Sequence, residues 1–196
     1  MKGEERGSDV LYFVGAVPPA PLGTRIAGWQ QALSHVVTAP HVTLKAPCHL
    51  SAAQLDACAE VCRYAPAFEV RLGGVQTFGE RVVFLEAVGA GLHALHALLV
   101  TAVGESATPF ELAGYHPHLT LAVGWRPFRL SGPEGGKGKP EKGDPEHWAE
   151  LLEHVRTSFA DLSSRPVLFD VTEAVLFRKD APGQPYRELT RWTLEG

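Results

Sequence analysis

Apolar residues recur along this chain with two different periods, and each switch of period marks the passage from a strand to a helix or back. Val10 to Val17 reads as a strand closed by Pro18-Pro19, and Thr24 to Leu33 as a helix with Ile26, Trp29 and Leu33 on one face. His41 to Ala46 is the next strand. Ser51 caps a helix running through about Tyr64, with Leu55, Cys58 and Cys62 inward. Phe68 to Leu72 alternates as a half-buried strand does, Gly73-Gly74 predicts a turn, and Arg81 to Val88 reads as a buried strand. A helix from about Gly91 to Val103 follows, apolar at Leu92, Leu95, Leu98 and Leu99. His118 to Val123 is again a strand, His147 to Ala160 a helix, and Val167 to Phe177 and Tyr186 to Leu194 closing strands. Ser131 to Pro145 is rich in Gly, Pro and charge and is expected to form a mobile loop.

Each half of the chain therefore runs helix, strand, helix, paired strands. The likeness extends to a motif. His41-Val42-Thr43-Leu44 and His118-Leu119-Thr120-Leu121 stand 77 positions apart, both in apolar strands and both closely preceded by a proline. Residues i and i+2 of a strand project from one face. Each motif thus aims one imidazole and one hydroxyl in the same direction, and two such strands side by side would surround one cavity with two of each.

Composition narrows what that cavity serves. With 196 residues the chain suits one domain of two half-sized lobes, residues 1–9 forming a charged, flexible N-terminus. No apolar run approaches the roughly 20 residues of a membrane helix, so a cytoplasmic protein, acting as a monomer, is the expectation. A formal net charge of −4 argues against non-specific binding to long nucleic acids, but not against a small phosphate pocket. Cys48, Cys58 and Cys62 fit no metal spacing and read as buried thiols. Nor is there a P-loop, a dinucleotide-binding glycine fingerprint or a nucleophile elbow.

The doubled motif, its separation and its flanks resemble the paired HxTx motifs of the 2H phosphoesterase superfamily, which includes bacterial 2′–5′ RNA ligase / 2′,3′-cyclic phosphodiesterase enzymes. The likeness spans roughly Val10 to Leu194. Phe78 to Val88 resembles the strand before that family's central helix, and Val175-Leu176-Phe177-Arg178 with Tyr186-Arg187-Glu188-Leu189 its closing hairpin. The resemblance implies an α+β fold of two pseudo-symmetric lobes of antiparallel sheet, with outer helices around a central cleft. It also implies opening of 2′,3′-cyclic phosphates of nucleotides or RNA termini without cofactor or metal, His41 and His118 being catalytic and Thr43 and Thr120 binding phosphate. The resemblance further implies 2′–5′ RNA ligase activity as the companion reaction. Related RNA-processing members often carry an Arg directly after the second motif. Here Ala122-Val123-Gly124 follows, and Arg126 comes a little later.

The chemistry also stands on the residues themselves. With an unperturbed pKa of about 6.5, one imidazole of a pair can accept a proton while the other donates one. Threonine hydroxyls add donors without adding charge. Lys45 projects from the face of His41 and Thr43 and is a further candidate substrate contact, and the resemblance adds Arg126 and Arg178. Phe78, Tyr115, Tyr186 and Phe13 are candidates for stacking a base. Two other readings compete: a non-catalytic nucleotide- or RNA-binding module, and a metal-dependent hydrolase using His41, His116 and His118.

Overall fold

The computed structural model describes residues 10–35, 38–104, 108–124 and 145–196. The expected flexible N-terminus, residue Arg126 and all but the last residue of the expected loop lie outside them. The strands are β1 (Leu11–Ala16), β2 (Val42–Cys48), β3 (Phe68–Phe78), β4 (Val82–Val88), β5 (His118–Val123), β6 (Val167–Val171), β7 (Glu173–Lys179) and β8 (Arg187–Thr193). The helices are α1 (Ala20–Ala32), α2 (Ala52–Tyr64), α3 (Ala90–Val103), α4 (Pro145–Ser158) and α5 (Ala160–Ser164).

All eight strands join one antiparallel sheet in the order β6-β3-β4-β5-β2-β1-β7-β8. The two motif strands are its centre, and each lobe extends outward from one of them. The halves of the chain interlock. β3 and β4 from the first half extend the lobe of β5, while β7 and β8 from the second extend the lobe of β2 and β1. The helix-covered face carries the main core, including Ile26, Leu44, Leu72, Leu85, Leu99 and Leu119. On the other face of the β1 lobe a small cluster of Phe13, Val175 and Phe177 is buried, with Tyr186 packed on it.

Local chemistry explains the boundaries. Ser51 accepts a hydrogen bond from the Gln54 amide while the Gln54 side chain accepts one from the Ser51 amide, a capping box that starts α2 where expected. α1 begins earlier than Thr24, at Ala20, because Pro21 sits in the first turn, where its missing N–H would have had no helical partner. In α3 the inward positions are Leu92, Leu95, His96, Leu99, Val100 and Val103, and Leu98 instead faces solvent. All three cysteines are free and buried.

Two expectations about strands are corrected. Gly73-Gly74 does not turn the chain. Gly74, at φ +71°, forms a bulge inside β3, which continues to Phe78 before turning at residues 79–81. The stretch Val167 to Phe177 is two strands, broken at Thr172. β6 pairs with β3 in one lobe and β7 with β1 in the other, so the chain crosses between lobes there.

Candidate functional site

β2 and β5 touch at one antiparallel pair, Val42 and Leu119, both fully buried in the core. The strands then diverge. Antiparallel pairing at that point sets His41 beside Thr120 and Thr43 beside His118, all four half-buried on the face opposite the core. They line a cleft of about 270 Å³ with Phe13, Tyr186, Val82 and Val123 among the walls. Thus the structure brings together the four residues singled out by the motif.

The imidazoles are held alike. His41 Nδ1 lies 2.7 Å from the Ala39 carbonyl oxygen, and His118 Nδ1 lies 2.7 Å from that of His116. A carbonyl only accepts, so Nδ1 carries the proton in both rings, and Nε2 is the nitrogen left for chemistry. Each ring also rests on two phenylalanines. His41 packs on Phe13 at 4.5 Å and Phe177 at 5.5 Å between ring centres, and His118 on Phe78 at 4.9 Å and Phe84 at 5.0 Å. Gly15 makes room on the His41 side: a Cβ there would stand 3.3 Å from the imidazole.

This apolar bedding sets the electrostatics. Burial pushes His41 down to about 4. The Ala39 carbonyl opposes the shift, and a positive charge on His118 adds to it. Burial likewise lowers His118, opposed by the His116 carbonyl and reinforced by the His116 ring. Among the described residues lining the cleft there is no Lys, Arg, Asp or Glu. Positive charge in the cleft can therefore come, within those residues, from an imidazolium.

The remaining candidates divide. Tyr186 and Phe13 line the cleft, edge to face at 4.8 Å. Phe78 lies beneath His118, where the bulged extension of β3 carries it. Arg178 is ion-paired with Asp180 at 2.6 Å and lies over the Tyr12 ring, away from the cleft lining. Tyr115 is not placed to stack a base: its ring lies flat on His96 at 3.8 Å, and its hydroxyl donates to the Thr43 carbonyl at 2.8 Å.

Lys45 is the clearest correction. The register between β1 and β2 shifts between Val14–Lys45 and Gly15–Thr43, so strict alternation fails there and both Leu44 and Lys45 are buried. Lys45 does not reach the cleft. Its Nζ pairs with Glu111 at 2.9 Å in the interior, both side chains being almost fully enclosed. Burial alone would raise the Glu111 pKa, but the bonds from Lys45, Thr108 N–H and Ala46 N–H outweigh it and hold the carboxyl below its ordinary value.

Sequence reasoning missed Phe84 and Phe177 as supports for the histidines. Both sit in apolar strands where nothing local separates a ring under the site from a ring in the core. Thr38, Ala39, Pro40 and Pro47, which also line the cleft, were missed as well.

A family model, described as the 2′-5′ RNA ligase superfamily, matches residues 18–127, a span holding both motifs. Among solved structures, E. coli LigT complexed with NADP+ is 23% identical, the match covering 94% of this chain and 98% of that chain with a TM-score of 0.55. TT0787 of Thermus thermophilus is 20% identical over 95% of this chain and 98% of that one, with a TM-score of 0.59. E. coli LigT has also been solved with 3′-AMP and with phosphate. These likenesses show the α+β fold. No curated protein matches the chain.

Proposed function

We propose that this chain, which belongs to the 2′-5′ RNA ligase superfamily, opens 2′,3′-cyclic phosphates of nucleotides or RNA termini by acid–base catalysis between His41 and His118, independently of metal. The observation that carries the reading is the matched pair of imidazoles, both with Nδ1 tied to a carbonyl two residues back and both lining one cleft with a threonine beside them. The nucleotide and phosphate complexes of E. coli LigT support it as the kind of ligand this fold accommodates.

In hydrolysis, Nε2 of the neutral imidazole accepts the proton of a water that attacks phosphorus. The opposite imidazolium gives its proton to the departing ribose oxygen, leaving a phosphomonoester and a free hydroxyl. Thr43 and Thr120 donate hydrogen bonds to the non-bridging oxygens, where charge builds in the transition state. Ligation opens the same ring in the same direction with a ribose hydroxyl in place of water as the nucleophile, and its reversal expels that hydroxyl as the ring closes.

His41, His116 and His118 do not form a ligand cluster, and among the described residues no three His, Cys, Asp or Glu side chains do. No helix among them is long and apolar enough to cross a membrane.

A substrate panel tests the proposal: 2′,3′-cyclic mononucleotides, cyclic-ended RNA and 2′–5′-linked dinucleotides, with products separated by chromatography. Turnover of a cyclic phosphate that persists in EDTA is the expected result. Binding of every substrate with turnover of none would leave the binding-module reading in its place.

The pH dependence follows from the burial of the two rings. The base must be neutral, so kcat/KM rises with pH through a limb near 4, the value for His41. The acid must be protonated, so kcat/KM falls as pH passes the second pKa. His118 is also lowered, which places that limb below the ordinary imidazole value of about 6.5. The limbs belong to the coupled pair. The expected bell is centred on the acid side of 6.5, lower than unperturbed histidines would give. The kcat profile shifts toward alkaline pH, because bound phosphate stabilises the imidazolium. A kcat/KM maximum above pH 7.5 would contradict this account.

A further inference from the structure

Past the single contact at Val42 and Leu119, each motif strand has an inner edge with no strand beside it among the described residues. Unpaired backbone groups in a buried place are costly, so it matters what completes those edges. Side chains do. On β2, Tyr115 Oη donates to the Thr43 carbonyl at 2.8 Å, His96 Nδ1 donates to the Leu44 carbonyl at 2.7 Å, and Glu111 Oε1 accepts from the Ala46 amide at 3.0 Å. On β5, Gln30 Nε2 donates to the Leu121 carbonyl at 2.8 Å and lies 3.5 Å from the Thr120 carbonyl, while His35 Nε2 accepts from the Val123 amide at 3.0 Å.

The backbone groups correspond one for one. Thr43, Leu44 and Ala46 stand in the first motif strand as Thr120, Leu121 and Val123 do in the second, each pair separated by the same 77 positions as His41 and His118. The side chains that serve them are unrelated in type, and their source is crossed. Gln30 and His35 belong to α1 and the turn after it, which lead into β2, yet they bind β5. His96, Glu111 and Tyr115 belong to α3 and the segment leading into β5, yet they bind β2. The second bonds of His96 show how closely this rack is built: its Nε2 accepts from the Leu112 amide at 2.8 Å while Tyr115 stacks on its ring. Gln30, His96 and Glu111 are all buried.

We propose that Tyr115 and Gln30 are positioning residues for the two phosphate-binding threonines, each fixing the backbone of one motif strand from the segment that leads into the other. Thr43 and Thr120 line the cleft from backbone only one residue past the single pairing of Val42 with Leu119, where strand support is slight. The Thr43 carbonyl is held by the Tyr115 hydroxyl, and the strand at Thr120 and Leu121 by the Gln30 amide. Misplacement of a catalytic contact by about 1 Å can cost on the order of 100-fold in rate, so loss of one tether costs turnover well beyond what it costs folding. This inference rests on the proposed cyclic phosphate reaction, and it adds a crossed dependence that the reaction alone does not require.

Double-mutant cycles test it. Tyr115→Phe removes one oxygen and keeps the ring on His96, and Gln30→Met removes the amide donor at similar volume. Each is combined with Thr43→Ala and with Thr120→Ala, and kcat, KM and Tm are measured with 2′,3′-cyclic AMP. Each single variant is expected to lower kcat on the order of 10-fold with little change in KM. Tyr115→Phe should add nothing in the Thr43→Ala background yet multiply fully with Thr120→Ala, and Gln30→Met should show the reverse pattern. A purely structural role would lower Tm and give no such selectivity. Multiplicative cycles in both pairings, or an unchanged kcat, overturn the proposal. If Gln30→Met does not fold, the Tyr115→Phe arm decides alone. If the wild-type protein turns over no cyclic phosphate, the functional reading fails separately, and the same cycles read on the Kd for inorganic phosphate decide the positioning.

Discussion

Replacing His41 or His118 with Ala is expected to lower kcat/KM on a 2′,3′-cyclic nucleotide by about 10²–10⁴-fold, the usual contribution of a positioned general acid or base. The double variant should be little worse than either single one, because the imidazoles act on one transition state as a unit. Folding should survive both changes, since each ring is half-buried at the cleft and its phenylalanine supports remain. Thr43→Ala and Thr120→Ala should lose less, roughly the 1.5–3 kcal/mol of a hydrogen bond to a charged group. A His118→Ala protein with near-normal turnover of every cyclic phosphate would rule out paired-histidine catalysis.

The second large effect is on stability. Glu111→Ala is expected to cost about 3–5 kcal/mol, because it removes the carboxylate that balances the Lys45 ammonium in an interior where that side chain is fully enclosed. For a chain of this size that is a fall in Tm of about 6–20 °C. The loss goes beyond the ion pair, since the amides of Ala46 and Thr108 also lose their acceptor. Combining Lys45→Met with Glu111→Leu removes both charges at similar volume and should recover much of the deficit. The sign of the pH dependence is fixed by the lowered Glu111 pKa. The pair's contribution is present above the unfolded carboxylate range, about 4.3, and is lost as pH falls through the lower folded value. Calorimetry that put Glu111→Ala within about 2 °C of wild type, below the range expected for loss of a buried ion pair's carboxylate, would show that the remaining contacts of Lys45 suffice to hold its charge.

Lys45 also shows where reading along the chain stops working. Alternation is a property of a regular strand, and it carries His41 and Thr43 correctly to one face. A register shift against β1 then intervenes, and the next lysine turns into the core. Nothing in Leu44-Lys45-Ala46 announces this, because the shift arises from how β1 lies against β2. Gly73-Gly74 is the converse case. Two glycines license a turn or a bulge equally well, and pairing with β4 on both sides of Gly74 selects the bulge. That choice carries Phe78 to His118.

Features with a local cause were legible along the chain. The hydrophobic period marks most of the strands and helices, the Ser51 capping box starts α2, and the His-x-Thr spacing puts an imidazole and a hydroxyl on one face of each motif strand. The duplication supplied the expectation that the two motifs meet, because related halves tend to pack about a common axis. Other features depend on neighbours remote in the chain and emerge only on folding. They are the exchange of hairpins between the halves, the phenylalanines that lower the histidine pKa values, and the burial of Lys45 against Glu111. The completion of each motif strand by side chains from the other half belongs with these. The physical reason is common to all of them. A side-chain period records the direction a residue faces within its own element, whereas burial, register and hydrogen-bond partners are settled by the surface that element meets when the chain closes on itself.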